Sequence, residues 1–216
     1  MDKPVLIVDK LTRSFETAAE RLLILDELDL VVPEKNRIGI LGDAGCGKST
    51  LLKLLTGLLK PSSGHILWQG KPLGEPDASF YAGLFYLQQQ SAENLFGLCP
   101  RHDLEIWQLL WPDILGQKLD KMLGTDLAAR LDAPFNQLSS GEKRAFALLP
   151  LYFCPEKYWI LDEPTASLDA ARKGRFLELC RSKKGMLVAS HETDLLLPAM
   201  DRVLHLRDGS ITGEEI

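Results

Sequence analysis

"GILGDAGCGKSTLLKLL", Gly39 to Leu55, is the stretch that decides the fold. It matches G-x-x-x-x-G-K-[ST] from Gly42 to Ser49, directly after an apolar run and directly before a helical pattern, which is the context that a phosphate-cradling loop requires. Gly42, Gly45 and Gly47 let the backbone curl so that its N–H groups face a β-phosphate. Lys48 reaches the β/γ oxygens, and the Ser49 hydroxyl is placed for Mg²⁺.

Outward from this loop, short apolar runs recur between Gly, Pro and charged residues. Arg37–Leu41, Tyr158–Leu161 and Met186–Ala189 are nearly continuously apolar, as central parallel strands covered on both faces are. "PVLIVDKL", "LDLVV", "HILWQG", "AGLFYL" and "RVLHLRDGSI" read as flanking or antiparallel strands. Helical patterns fall at Lys48–Leu58, Asp103–Trp111, Asp113–Leu123, Gly141–Tyr152, Ala170–Arg181 and Thr193–Pro198, with Pro112 stopping the second. No strand candidate lies between Arg101 and Phe153, so an α-helical subdomain at about 95–152 is expected inside one α/β domain spanning 1–216.

Bulk properties narrow the function. The chain has 216 residues, 45% of them hydrophobic, and a net charge of −5 without a Lys/Arg run, so nucleic acid is not an expected partner. Its four cysteines, Cys46, Cys99, Cys154 and Cys180, form no C-x-x-C pair, which argues against a zinc site and for reduced cytosolic thiols. No apolar stretch approaches the ~18 residues that span a bilayer, and the N-terminus has no secretory pattern.

Two further places carry chemistry. "YWILDEP" ends an apolar strand in Asp162 and Glu163, at the sheet edge where open α/β folds bind ligands. Asp162 would hold Mg²⁺ and Glu163 would polarise the attacking water, while His191, after "GMLVAS", could donate to a terminal phosphate or orient that water. "LSSGEKRAFAL", Leu138 to Leu148, reads as a capped helix start with Ser139 as N-cap and Glu142 three residues on. Such a start is a second anion site, lacking the G-K-[ST] lysine of the phosphate loop and far along the chain from the first.

In order, "GDAGCGKST", "LSSGEKRAFAL", "YWILDEPTASLD" and "SHETD" resemble the Walker A, signature, Walker B with D-loop, and H-loop motifs of ABC-type ATPases. The resemblance spans essentially the whole chain and implies a P-loop NTPase fold of α/β class: a sheet containing parallel strands, an antiparallel β subdomain and a short inserted helical subdomain. It implies that Gly42, Asp43, Ala44, Gly45, Cys46, Gly47, Lys48, Ser49 and Thr50 hold ATP, with Phe15 of "LTRSF" stacking on adenine. Glu163, His191 and Gln89 would be catalytic, and Ser49, Gln89 and Asp162 would hold Mg²⁺; in "YLQQQSAENLFG" Gln88 is the neighbouring candidate for the Q-loop position.

In that family the signature helix serves the nucleotide of a partner, which answers why the second cradle needs no lysine. Ser139, Ser140, Gly141, Glu142 and Asp169 would thus meet ATP held by a second ATPase subunit, identical or paralogous, in a head-to-tail dimer. Ser140 stands where glycine is usual. The resemblance further implies a cytoplasmic protein, peripheral on the inner face of the cell membrane, that energises a transmembrane transporter subunit docked on the Q-loop and helical insert. Trp107, Leu110, Trp111 and Ile114, at i, i+3, i+4 and i+7, either receive a helix of that partner or pack inward. "SAENLFG" is similar to the segment in cobalt/nickel and energy-coupling-factor vitamin transporters. The alternative is a soluble ABC-type ATPase outside transport, for which the coiled-coil insertion, tandem domain or basic arms are missing from this sequence. A guanine-reading N-K-x-D is missing too, against a GTPase switch.

Overall fold

The computed structural model describes residues 3–16, 20–74, 76–110 and 119–215. Among the described residues there are two sheets, one of six strands and one of four. In the larger, β3 (Arg37–Leu41), β8 (Met186–Ser190) and β7 (Tyr158–Asp162) are the three apolar runs, adjacent, parallel and almost wholly buried. β9 (Arg202–Arg207) and β6 (Leu84–Leu87) extend the parallel set on either side.

Several elements differ from the sequence pattern for identifiable reasons. β1 (Pro4–Glu16) and β2 (Arg21–Pro33) outrun their apolar cores, because register shifts absorb the polar residues that interrupt alternation; Lys10 and Glu27 take positive φ there. "RVLHLRDGSI" is a hairpin rather than one strand: Asp208 and Gly209, both at positive φ, turn β9 into β10 (Ser210–Glu215). "AGLFYL" begins in a helix, α2 (Ala78–Gly83), capped by the Asp77 carboxylate accepting from Phe80 N at 3.0 Å. The remaining strands of the small sheet are β4 (Ser63–Trp68) and β5 (Lys71–Pro72). The large sheet thus runs β10-β9-β3-β8-β7-β6, and the small antiparallel one β2-β1-β4-β5.

α1 (Lys48–Leu55) lies between the sheets, its Leu51, Leu52, Leu54 and Leu55 fully buried in the main core with Leu6, Leu11, Ile38 and Ile40. A second core on the opposite face of the large sheet joins Trp159, Val188 and Met186 to Phe176 and Cys180 of α6 (Ala170–Ser182). A third, built on Leu104, Leu123, Leu127, Leu138 and Phe146, gives the helical insert its own apolar centre.

Among the described residues, the insert contains α3 (Pro100–Leu110), α4 (Leu119–Ala128) and α5 (Ser140–Ala147). α3 starts earlier than its periodicity, with Pro100 in the first-turn position that proline favours. The expected helix Asp113–Leu123 falls partly outside the described residues; α4 runs past its expected end and kinks at Gly124, φ 73. Trp111 and Ile114 also lie outside the described residues. α5 ends ahead of Pro150, and one 3₁₀ turn, Leu149–Tyr152, completes the expected stretch. A short α7 (Thr193–Leu196) follows β8. No helix among the described residues is long and apolar enough to cross a membrane.

Candidate functional site

β3 delivers the phosphate loop to the carboxyl edge of the large sheet, and α1 leaves from it. Gly47 is the N-cap of α1 at φ 106, a left-handed conformation that side-chain-bearing residues rarely take, and no side chain caps the helix. The first-turn N–H groups of α1 are thus available to an anion, with no acidic residue in that turn to oppose one. Lys48, 7% exposed, folds over the loop: its Nζ donates to Gly42 O at 2.6 Å and to Asp43 O at 3.0 Å, 4.0 Å from Glu163 Oε1. Asp43, Ala44 and Gly45 are exposed at the loop tip, with Cys46, Ser49 and Thr50 half-buried.

β7 and β8 bring the acidic pair and His191 to the same edge. Glu163 is buried at φ 46, a strained conformation costing of order 1–3 kcal/mol of the kind that collects at functional sites. Its carboxylate is fixed from three directions. Ser190 Oγ donates to Oε2 at 3.0 Å, the His191 N–H approaches at 3.4 Å, and His191 Nδ1 lies 2.9 Å from Oε1. The His191 side chain stays 62% exposed, leaving its other nitrogen toward the open edge.

Asp162 is 1% exposed, and neither carboxylate oxygen has a hydrogen-bond partner of normal geometry. Burial drives its pKa up, with the neighbouring Glu163 adding to the rise, while the nearby Ser49 hydroxyl and the charges of Arg144 and Lys48 pull it back. Ser49 Oγ faces Gln89 Oε1 at 3.5 Å, whereas the Gln88 side chain turns to Glu93 O. Among the described residues no group of three or more His, Cys, Asp and Glu could hold a metal by itself. Orphaned carboxylate oxygens beside a hydroxyl and an amide oxygen do fit a hard divalent cation that takes its other ligands from phosphate and water.

That environment has a consequence for stability. A carboxyl whose folded-state pKa lies above its unfolded value destabilises the fold once pH rises through that window, and the penalty is complete above it. Asp162→Asn removes the charge at nearly constant volume, so at pH 7 it should raise the melting temperature of the protein. Calorimetry checks this; a lowered melting temperature contradicts the assigned cost of the charge.

The second cradle is a formed capping box: Ser139 Oγ accepts from Glu142 N at 3.2 Å, and Glu142 Oε2 accepts from Ser139 N at 2.8 Å. The Glu142 carboxylate also pairs with Arg130 at 3.3 Å. Ser139 and Ser140 are exposed and Gly141 is buried. A Cβ on Gly141 would stand 2.5 Å from Ser167 O, so only glycine allows α5 this close to the turn that leads to Asp169. Asp169 caps α6 by accepting from Arg172 N at 2.8 Å.

Phe15 stands opposite Leu22 across the β1–β2 pair, with the Arg13 guanidinium 4.3 Å from its ring centre. The open cleft beside the phosphate loop, about 1080 Å³, is walled by Leu22, Leu23 and Ile24, the loop itself, His191 and the β9–β10 hairpin. Sequence reading missed Arg144, a fully buried guanidinium behind the acidic pair. Its signal was an arginine three residues after Gly141 and four before Leu148, on the apolar face of α5.

The profile of the ABC transporter family matches residues 25–166. Among curated proteins, the chain is 29% identical over 201 residues to the cytochrome c biogenesis ATP-binding export protein CcmA of Pseudomonas fluorescens, covering 88% of this chain and 92% of that one. It is 33% identical over 188 residues to the cobalt import ATP-binding protein CbiO of Salmonella typhimurium, covering 80% and 68%. Solved structures agree in fold. A dimeric, post-hydrolysis ATP-binding cassette bound to ADP and Pi superposes with a TM-score of 0.79 at 20% identity over 97% of both chains. CbiO1 of Clostridium perfringens, part of the transporter complex CbiONQ, gives 0.73 at 24% identity over 99% of this chain and 88% of that one. The profile match and the 33% relative place this sequence without ambiguity: the chain belongs to the ABC transporter family, among its ATP-binding proteins, and is an ATPase.

Proposed function

We propose that this chain binds ATP with Mg²⁺ at its phosphate loop, closes on a second ATPase subunit, and uses hydrolysis to drive a transmembrane transporter subunit from the inner face of the membrane. The observation that carries the reading is the convergence of Lys48, Glu163 and His191 on one sheet edge, with Ser190 and His191 fixing the Glu163 carboxylate. The β/γ-phosphates would replace the Gly42 and Asp43 carbonyls as acceptors for Lys48. Glu163 would take the proton of the attacking water, and His191 Nε2 would face the γ-phosphate while Nδ1–H holds the base in place. Mg²⁺, held by Ser49 and, through water, by Asp162 and Gln89, would supply charge neutralisation for the phosphates. Ser139 and Gly141 of the partner would complete the γ-phosphate cradle, in keeping with the exposure of Ser139 and Ser140.

A groove of about 400 Å³ beside the Q-loop supports the membrane partner. Phe85, Tyr86, Phe96 and Trp107 line it, and Phe96 is 62% exposed. Trp107 lies on the groove in ring contact with Phe85 and Phe96, while Leu109, not part of the expected stripe, is 83% exposed. The relation to CbiO and the "SAENLFG" segment favour import of metal ions or vitamins; the relation to CcmA favours export as the second reading. Phe96→Glu should shift the chain from the membrane to the soluble fraction of gently lysed cells, with thermal stability within about 1.5 kcal/mol of wild type because the site is exposed and loses only its ring contact with Trp107. A wild-type chain without any membrane-bound pool would instead support the soluble-ATPase alternative.

A further inference from the structure

Arg144 is 1% exposed, and its guanidinium donates to four main-chain carbonyls. Nη1 donates to Gln88 O at 2.8 Å, Nη2 to Asp162 O at 2.6 Å and Glu163 O at 2.5 Å, and Nε to Pro164 O at 3.1 Å. These carbonyls belong to two segments that part from one another here. The β6–β7 pairing ends at Leu87↔Leu161, so the Q-loop parts from β7 here, while β7 stays paired with β8 through Asp162↔Ala189 before it turns. Arg144 spans that divergence from α5, the helix whose N-cap is Ser139. Asn94 tightens the same point, accepting from Gln88 N at 2.9 Å and donating to Gln88 O at 3.0 Å and Gln90 O at 2.9 Å.

We infer that Arg144 is a positioning residue for hydrolysis: by bracketing Gln88 against Asp162–Pro164 it sets where Gln89 and Glu163 stand relative to the γ-phosphate, and it couples that placement to the tilt of α5. Stability alone does not account for a buried guanidinium, since an apolar side chain of similar volume is commonly as good or better. Its planar fork suits this role, because four acceptors at fixed angles define the separation of two loops in a way that a single ammonium cannot. Burial lowers its pKa to about 10, partly offset by Asp162 and Glu163, so it remains charged at neutral pH. When α5 shifts on meeting a partner's nucleotide, the same guanidinium moves the Q-loop and the acidic turn together.

The inference rests on the hydrolytic role proposed for Glu163, and the test separates the two. In the full chain, Arg144→Met should lower kcat at least about tenfold while the affinity for a fluorescent ATP analogue stays within about threefold, since misplacing reacting groups harms turnover more than ground-state binding. Arg144→Lys keeps the charge but not the planar fork, so it should not return the rate. A folded Arg144→Met with kcat within twofold of wild type, or with kcat and affinity falling together, overturns the assignment. Unfolding of both variants also overturns it, marking Arg144 as structural only. Glu163→Gln run alongside discriminates: if it still turns over, the hydrolytic reading fails, and if it is dead while Arg144→Met is unimpaired, only the Arg144 inference fails.

Discussion

Lys48→Ala is expected to weaken ATP binding by roughly 10²–10⁴-fold, taking it out of the range of ordinary cellular use. Charge-assisted hydrogen bonds contribute about 1.5–3 kcal/mol each, and Lys48 would make two of them to the β/γ oxygens in a site shielded from water. The side chain is already poised to make them. Buried at the start of α1, its ammonium rests on the Gly42 and Asp43 carbonyls, which phosphate oxygens can replace without moving the backbone. Removing it also leaves the buried Glu163 carboxylate without its neighbouring ammonium, 4.0 Å away. Titration calorimetry with ATP checks the prediction, and binding within threefold of wild type would mean that the helix N-terminus alone supplies the affinity.

Glu163→Gln should have the opposite profile, retaining ATP while turnover falls by about 10²–10⁴-fold, the range that general-base catalysis supplies. The amide keeps the shape of the side chain and can still accept from Ser190 Oγ, which lies 3.0 Å from Oε2 in the wild-type protein. What it loses is the capacity to take a proton from water. His191 then has no carboxylate to hold its Nδ1–H, so a double variant with His191→Ala should lose far less than the product of the single losses. Single-turnover hydrolysis with saturating ATP provides the measurement.

The fold was legible wherever burial was two-sided. β3, β7 and β8 read directly from their apolar runs because helices and sheet cover both faces, and the phosphate loop followed from its strand and helix flanks. Less was legible where local backbone chemistry overrides periodicity. The long β1 and β2 hide behind bulges at Lys10 and Glu27, and α2 depends on the Asp77 cap rather than on any apolar stripe. The Asp208-Gly209 turn was readable in principle, since Asp-Gly between apolar runs is a strong hairpin signal, but the continuous run of β9 masked it. Within the site, Gln88 and Gln89 are one residue apart and equivalent in composition. Only the geometry distinguishes them, turning Gln89 to Ser49 and Gln88 back on its own loop. Arg144 escaped because its partners are carbonyls, which have no signature in sequence.

The central claim is that two half-sites, Lys48 of one chain and Ser139 of another, share one γ-phosphate, and the mass of Glu163→Gln in solution tests it most directly. Blocked hydrolysis should let ATP accumulate at the junction, and a ligand that binds only the closed pair drives association by mass action. Size-exclusion chromatography with light scattering at tens of micromolar protein should therefore give the 24.1 kDa monomer with ADP and twice that mass with ATP and Mg²⁺. Adding Ser139→Arg, at an exposed capping position outside the phosphate loop, should return the ATP-bound protein to the monomer while leaving its ATP affinity within about threefold. A protein that stays monomeric with ATP and Mg²⁺, or an ATP-dependent dimer that Ser139→Arg does not disturb, would contradict the shared site.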